Sequence, residues 1–404
     1  MKIRAAIIGG GAAGLAAACS LGINAETTVY EHSDRVGKKI LITGAGRCNV
    51  MNEYMQPQKF ICDDAEALNM TLSGCENRIK EFFALRGLVL RCEEEGRIYP
   101  LTNQAASVLD VLRFDAKEAG CEILCGAQIG KVEKKDGVFI VHDKVYGTKS
   151  YDAVILACGG KAAPKTGSDG SGFNIAVDFG HTVTKLSPAL VPLKTTSNVT
   201  RALKGIRCKC KLTLKKDSKK VTDTSGEIQF TEYGISGIAA MQLSRYTEGK
   251  GNSVIIDFVE ECSYSYILER INAAKNKKRE LQDVLLGILP RRVAQQIIKT
   301  VTQMPLTQSS AELDDASAKK IAESVKAFKL DIEGTLSWDN AQVTRGGIPL
   351  REIDAKTMES KRCKGLYIVG EMLNCDGDCG GYNLGWAWIT GIKAAEAVIG
   401  KGEP

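Results

Sequence analysis

The stretch from Ile3 to Glu31 narrows what this chain can fold into more than any other. Ile3 to Ile8 is a short run with no polar alternation after Arg4, as a parallel strand buried on both faces requires. It leads into Gly9-Gly10-Gly11-Ala12-Ala13-Gly14, then an Ala-rich helix to about Leu21. The β-branched and aromatic run Thr27-Thr28-Val29-Tyr30 follows and ends on Glu31. Strand, Gly-x-Gly-x-x-Gly turn, helix, strand and acid in that order form the first βαβ unit of a dinucleotide-binding fold. Gly9 makes the tight turn, Gly11 lets a pyrophosphate approach the backbone, and Gly14 lets helix and strand pack closely. The helix N-terminus, opened by Ala12 and Ala13, faces the phosphates. Glu31 can accept hydrogen bonds from a ribose, and its charge would repel a 2′-phosphate.

The chain of 404 residues has room for about two to three domains. Its 44% hydrophobic and 25% charged residues exclude disordered, collagenous and coiled-coil classes. A net charge of +6 is too small by itself to mark a nucleic-acid binder. With 14 cysteines but only His32, His142 and His181 as histidines, no Cys/His zinc spacing is available. No metal is expected, and the cysteines read as reduced thiols of a cytoplasmic protein. Lys2 and Arg4 ahead of an apolar stretch superficially resemble a signal peptide, but the glycines at 9, 10, 11 and 14 explain that stretch better. No other window approaches the ~20 apolar residues of a membrane span, so the protein reads as soluble with no membrane partner.

Apolar positions at helical spacing predict helices over 76–90 and 104–119. Strands are expected at Cys121–Leu124, Ile129–Lys134, Gly137–Val141 and Ala153–Leu156, and short strand-like runs fill 186–262. From 264 to 328 the period changes to helical, and Tyr367-Ile368-Val369 is a last buried strand before a helix from about Leu384 to Ile399. On that helix Leu384, Trp388, Gly391, Ala395 and Val398 share one face, which puts Trp388 in the core. The expected fold is therefore α/β. Residues 1–187 and 345–404 form a composite Rossmann-like domain, 188–262 and 331–344 a β-rich substrate domain, and 263–330 a helical domain.

Two further segments speak to the cofactor. Ala157-Cys158-Gly159-Gly160 ends a strand and offers a second backbone approach point. Val369-Gly370-Glu371 ends another, and Gly380-Gly381-Tyr382-Asn383 opens the last helix. A flavin needs an acid at such a strand end for its ribityl chain. It also needs a helix N-terminus to stabilise negative charge on the reduced ring.

Several longer segments then match a known family. They are Val36-Gly37-Lys38-Lys39 through Thr43-Gly44-Ala45-Gly46-Arg47-Cys48-Asn49, Phe230 to Gly237, Val343-Thr344-Arg345-Gly346-Gly347-Ile348, Thr357 to Lys361, and Gly380 to Leu384. Over essentially its whole length the chain resembles the FAD-binding flavoproteins of the BaiN (3-dehydro-bile acid Δ4,6-reductase) and aminoacetone oxidase types. The resemblance implies tight, noncovalent FAD. It places Gly46, Arg47, Cys48 and Asn49 around the pyrophosphate and one flavin face. Lys39, Ile129, Ala157, Gly159, Gly160, Gly370, Glu371, Gly381, Tyr382 and Asn383 complete the cofactor set with the first βαβ unit. Arg47, Arg345 and Tyr382 are the residues expected to carry catalysis.

No second dinucleotide fingerprint is present, so NAD(P)H is expected as a transient reductant at the substrate side. The leading expectation is reduction of an activated C=C bond in a bile-acid-like, steroid or other small enone by hydride from flavin N5. The alternative is a flavin oxidase of an amine or amino-ketone that forms peroxide. An RNA-modifying flavoprotein is the third reading. Arg201 to Lys220 holds nine Lys or Arg against Asp217, but no aromatics interleave for base stacking, so it reads as a solvated strand face and no nucleic-acid partner is expected. Cys375 and Cys379 bracket a turn near the flavin end and read as plain thiols rather than a redox pair.

Overall fold

The computed structural model describes residues 2–400. Contacts divide the chain into two units, Met1–Pro188 with Gln342–Pro404, and Ala189–Ala341. The extreme ends of the first unit, residue 1 and residues 401–404, lie outside the described residues. No helix among the described residues is long and apolar enough to cross a membrane.

The first unit is built on a parallel sheet ordered Leu366–Ile368, Ala153–Leu156, β1 (Ile3–Ile8), β2 (Ala25–Glu31) and Glu122–Cys125. Strands Ala153–Leu156 and Leu366–Ile368 are buried at every position, which explains their unbroken apolar composition. Helix α1 (Ala12–Leu21) is almost wholly buried, so it belongs to the core of the first unit. It packs against the last helix, Tyr382–Val398, where Gly391 presses on the Ala13 carbonyl; a Cβ there would stand 2.3 Å from that oxygen. Trp386 and Trp388 of this helix are both buried. Their indole N–H groups donate to the carbonyls of Gly370 at 3.1 Å and Val50 at 2.8 Å, which removes the cost of burying a polar atom.

The expected helix over 76–90 ends earlier, at Ala84, and Leu90–Cys92 becomes a strand paired with Arg97–Pro100. Gly87, at a positive φ of 74°, turns the chain there. Ile129–Lys135, Val138–Asp143 and Gly147–Tyr151 form a three-stranded antiparallel meander beside the parallel sheet.

The second unit is a closed six-stranded barrel: Leu193–Thr195, Gly234–Ser236, Lys219–Phe230, Arg207–Lys216, Asn252–Asp257 and Phe328–Thr335. Alternate residues Cys210, Leu212 and Leu214 point into its core. Helices Tyr264–Asn276, Arg291–Thr302 and Asp315–Lys326 turn Ile267, Ile271, Val293, Ile297, Ile321 and Val325 into the same core. The helical stretch expected as a separate domain therefore shares one core with the barrel, because each helix has a single apolar stripe that the barrel wall covers. Leu281 to Leu289 forms turns rather than a regular helix. Gln342 to Thr344, expected with the β-rich domain, falls in the first unit.

A buried polar cluster braces the first unit. The His181 side chain is fully buried, with Nδ1 2.8 Å from Glu352 and Nε2 2.7 Å from the Ser360 hydroxyl. The Thr182 backbone N–H and hydroxyl also donate to Glu352, while Ser360 Oγ accepts from the backbone of Arg362 and Cys363. Neutral His181 fits this network, donating to Glu352 and accepting from Ser360. Burial pushes its pKa below the usual value despite the nearby carboxylate. A histidine held neutral contributes stability that is present above its unfolded pKa of about 6.5 and is lost as pH falls through 6.5 towards the folded value. Urea midpoints of the native protein should therefore fall as pH is lowered from about 7 to 5, and His181→Gln should flatten that dependence.

Candidate functional site

β1 delivers the chain into the glycine turn at the C-terminal edge of the sheet, where open α/β folds bind ligands. Gly9 has φ +108°, and its N–H donates to the Tyr30 carbonyl at 2.8 Å. A Cβ on Gly14 would lie 1.9 Å from the Gly9 oxygen, and one on Gly9 would lie 2.4 Å from the Ala157 oxygen. A Cβ on Gly11 would meet nothing within 4 Å. Two glycines thus serve packing, and the third keeps a space open. Gly11 caps α1 with no side-chain hydrogen bond and no acid in the first turn, so the helix's positive end is left to a ligand.

That space is a cavity of about 520 Å³ within the first unit. Of the expected cofactor residues, Gly9, Gly11, Ala12, Ala13, Glu31, Lys39, Ile129, Ala157, Gly159, Gly370, Glu371 and Asn383 line it. Glu31, only 9% exposed, is fixed by two backbone donors, Gly10 N–H to Oε2 at 2.9 Å and Ser33 N–H to Oε1 at 2.7 Å. Each oxygen keeps a lone pair for a further donor. Elsewhere on the wall Lys39 Nζ pairs with Glu371 Oε2 at 2.7 Å and donates to the Ala162 carbonyl at 3.2 Å. The other Glu371 oxygen accepts the Thr344 N–H at 2.7 Å. Lysine has a third N–H to offer. Asn383 touches the cavity but spends its amide on the strand Cys375–Gly377, accepting from Gly377 N–H at 2.8 Å and donating to its carbonyl at 2.9 Å.

The remaining expected residues stand behind the lining or beside it. Gly14 and Gly160 support it, and a Cβ on Gly160 would lie 2.2 Å from Thr344 Oγ1. Gly46 and Cys48 both have positive φ, in a tight loop whose first residue, Thr43, does line the cavity. Cys48 is fully buried, which pushes its thiol up to about 12. The Asn49 side-chain oxygen is buried without a hydrogen-bond partner, an acceptor waiting for a donor.

The three residues expected to act in catalysis are not on this lining. Arg47 is tied to Glu93 at 2.6 Å and Asn103 at 2.7 Å and lies over the Tyr99 ring. Tyr382 packs edge-on against Phe60, and burial pushes its hydroxyl up to about 12. Gly381, before it, crosses the Met51 backbone where a Cβ would come within 2.3 Å. Arg345 follows Gln342 and Val343, which do line the cavity. Among the described residues no cluster of three or more His, Cys, Asp or Glu is arranged to hold a metal ion.

Sequence reasoning missed part of the wall. Thr166 to Asp169, Ser171 and Gly172, with Asn174, Ile175 and Asp178, line it, as do Gln128, Cys158, Cys375 and Trp386. The Gly167-Ser168-Asp169-Gly170-Ser171-Gly172 run was a readable turn signal. Cys158 stands inside the expected Ala157–Gly160 approach point; its half-buried thiol donates to the Ile8 carbonyl at 3.3 Å, and desolvation raises it to about 12.

The sequence matches the HI0933-like protein Rossmann domain family over residues 3–397. The chain belongs to this family. It is 36% identical to a 3-dehydro-bile acid delta(4,6)-reductase of Clostridium scindens, over 98% of each chain. It is 28% identical to a ribosomal RNA dihydrouridine synthase of Haemophilus influenzae, over 97% of each. The Escherichia coli protein of the same name is 26% identical, over 98% of each. Among solved structures, a 3-ketosteroid-Δ4-(5α)-dehydrogenase of Rhodococcus jostii RHA1 shares the fold at a TM-score of 0.51 and 14% identity, with 98% of this chain and 97% of that one covered.

The glycine geometry separates packing from space. Gly14→Ala is expected to destabilise the fold by about 1–3 kcal/mol or more. Gly11→Ala, at a φ of −83°, should stay within about 0.5 kcal/mol of the native protein. Urea denaturation of the two variants checks both.

Proposed function

We propose that this protein is an FAD-dependent oxidoreductase that reduces a C=C bond conjugated to a carbonyl, with NAD(P)H as the transient reductant. The observation that carries the reading is the single cavity that joins the open first turn of α1, the fixed Glu31 carboxylate and the Lys39–Glu371 pair. These groups fit FAD. The helix end and Lys39 suit a diphosphate, Glu31 a ribose and Glu371 a ribityl hydroxyl. The orphaned Asn49 oxygen suits a further donor. When bound, FAD supplies two-electron hydride chemistry.

The chain's own residues do the rest. The Gly9–Gly14 turn and Lys39 neutralise the diphosphate, and Glu31 fixes the ribose end. Asn383 holds the strand Cys375–Gly377 in register beside the cavity. Trp386 lines the same cavity and donates its indole N–H to the Gly370 carbonyl, which fixes the ring in that wall.

The substrate class follows the relative at 36% identity, whose name specifies a 3-dehydro-bile acid. A steroid-like dienone is the first choice. The two relatives named for dihydrouridine support a second reading, since saturating uracil also reduces a C=C bond conjugated to a carbonyl. Charge placement favours the small molecule. Arg207 pairs with Glu227, Lys204 with Glu232, and Lys211 with both Asp223 and Glu260, so acidic partners offset part of the basic run on the barrel.

Anaerobic addition of NADH or NADPH to the purified yellow protein should bleach the flavin band. A 3-oxo-4,6-diene bile acid should then restore it. Restoration only by uridine-containing RNA would move the assignment to the second reading, and peroxide formed with an amine would move it to an oxidase. Gly11→Val is expected to fold yet purify colourless. Glu31→Ala should weaken FAD binding by about 10- to 100-fold, measured by flavin fluorescence. A colourless native protein that binds no added FAD would sink the proposal.

A further inference from the structure

Strand Phe60–Cys62 pairs antiparallel with Cys375–Gly377, which sets Cys62 directly opposite Cys375. Neighbouring bonds reveal what kind of pair this is. Asp378 donates its N–H to the Lys59 carbonyl at 2.8 Å, while the Gly377 N–H and C=O are both taken by the Asn383 side chain. Hydrogen-bonded and non-hydrogen-bonded pairs alternate along an antiparallel ladder. Gly377 with Phe60 is therefore non-hydrogen-bonded and, two residues on, so is Cys375 with Cys62. The Cys375 N–H accordingly turns to the Leu373 carbonyl at 2.7 Å. Such partners stand with Cα atoms ~4.5 Å apart and side chains on one face, inside the ~4.4–6.8 Å window that a disulfide spans.

The two thiols differ in access. Cys375 is buried and lines the cavity. Cys62 is half-buried, with its thiol donating to the Asp64 carbonyl at 3.4 Å. Cys379 is no substitute, since its sulfur lies 3.9 Å from Gln342 Oε1 and it is not on the cavity wall.

We propose that Cys62 and Cys375 form a reversible cross-strand disulfide by exchange with a low-molecular-weight disulfide, making a redox modification site on the wall of the cofactor cavity. The accessible Cys62 thiolate attacks one sulfur of RSSR, which forms Cys62–S–SR and releases RS⁻. The Cys375 thiolate then attacks the Cys62 sulfur, which closes the Cys62–Cys375 bond and releases a second RS⁻. Each RS⁻ takes up the proton given up by one cysteine. Altogether RSSR is reduced to two RSH while the protein pair loses two electrons. Burial raises the Cys62 thiol above its usual pKa, so the exchange accelerates with alkali. On the reading that FAD fills the cavity, bound cofactor covers Cys375 and slows the closing step.

The test incubates the full chain, with and without FAD, in oxidised glutathione at about pH 8.5, followed by alkylation and peptide mass mapping. The expected result is a crosslinked peptide joining Cys62 to Cys375, lost on adding dithiothreitol and formed several-fold more slowly with FAD. Cys375→Ala should stop at the glutathione adduct on Cys62. Equal rates with and without FAD would support the disulfide while removing the cofactor from the Cys375 wall. Alkylation of both cysteines in the unsubstituted protein after exhaustive oxidation would overturn the disulfide, whatever the variant does.

Discussion

Where the last helix crosses α1, only the missing side chain of Gly391 allows the two backbones to meet. A Cβ there would stand 2.3 Å from the Ala13 carbonyl, and one on Gly370 would touch the Ala13 side chain at 3.0 Å. Ala13 is also on the cavity wall. The same residue thus carries the helix crossing and the ligand surface, so packing of the chain's two ends sets the shape of the site. Gly14 and Gly9 extend this contact, since both sit at backbone distances no side chain could share. In the Rossmann unit, tolerance for close approach and the geometry of the pocket are one property.

Around that crossing the charges are arranged in opposition. The uncapped start of α1 and the Lys39 ammonium provide positive potential, and Glu31 and Glu371 provide acceptors held by backbone N–H groups. Fixed carboxylates and a fixed helix end need little reorganisation when a polar ligand arrives. Asn383 contributes differently, by bracing the strand Cys375–Gly377 at the cavity wall.

The first βαβ unit was legible in the sequence because its signals are local. Gly9, Gly11, Gly14 and Glu31 lie within one strand, turn, helix and strand. The strand Ala153–Leu156 was read to the residue, since burial on both faces leaves an unbroken apolar run. What local reading lost were features decided by long-range partners. The resemblance places Arg47 at the pyrophosphate, and the contacts with Glu93 and Asn103, brought in from distant segments, that accept from its guanidinium could not be read locally. Cys375 reads as a neighbour of Cys379, yet strand pairing sets it opposite Cys62. The helices of the second unit could be read from their periodicity, but not that the barrel wall would cover them.

The order of strands in the parallel sheet also has a consequence for synthesis on the ribosome. Ala153–Leu156 is an inner strand only because Leu366–Ile368 lies beside it. About 200 residues, including the entire second unit, must emerge before that neighbour exists, a delay of the order of tens of seconds at ~5–20 residues per second. Throughout that interval the nascent N-terminal half carries an open, apolar strand edge and a helix whose covering partner has not been made. The barrel closes all its edges by itself and can mature first. The half-built sheet is thus the part of the nascent chain most open to edge-to-edge pairing until Leu366–Ile368 arrives.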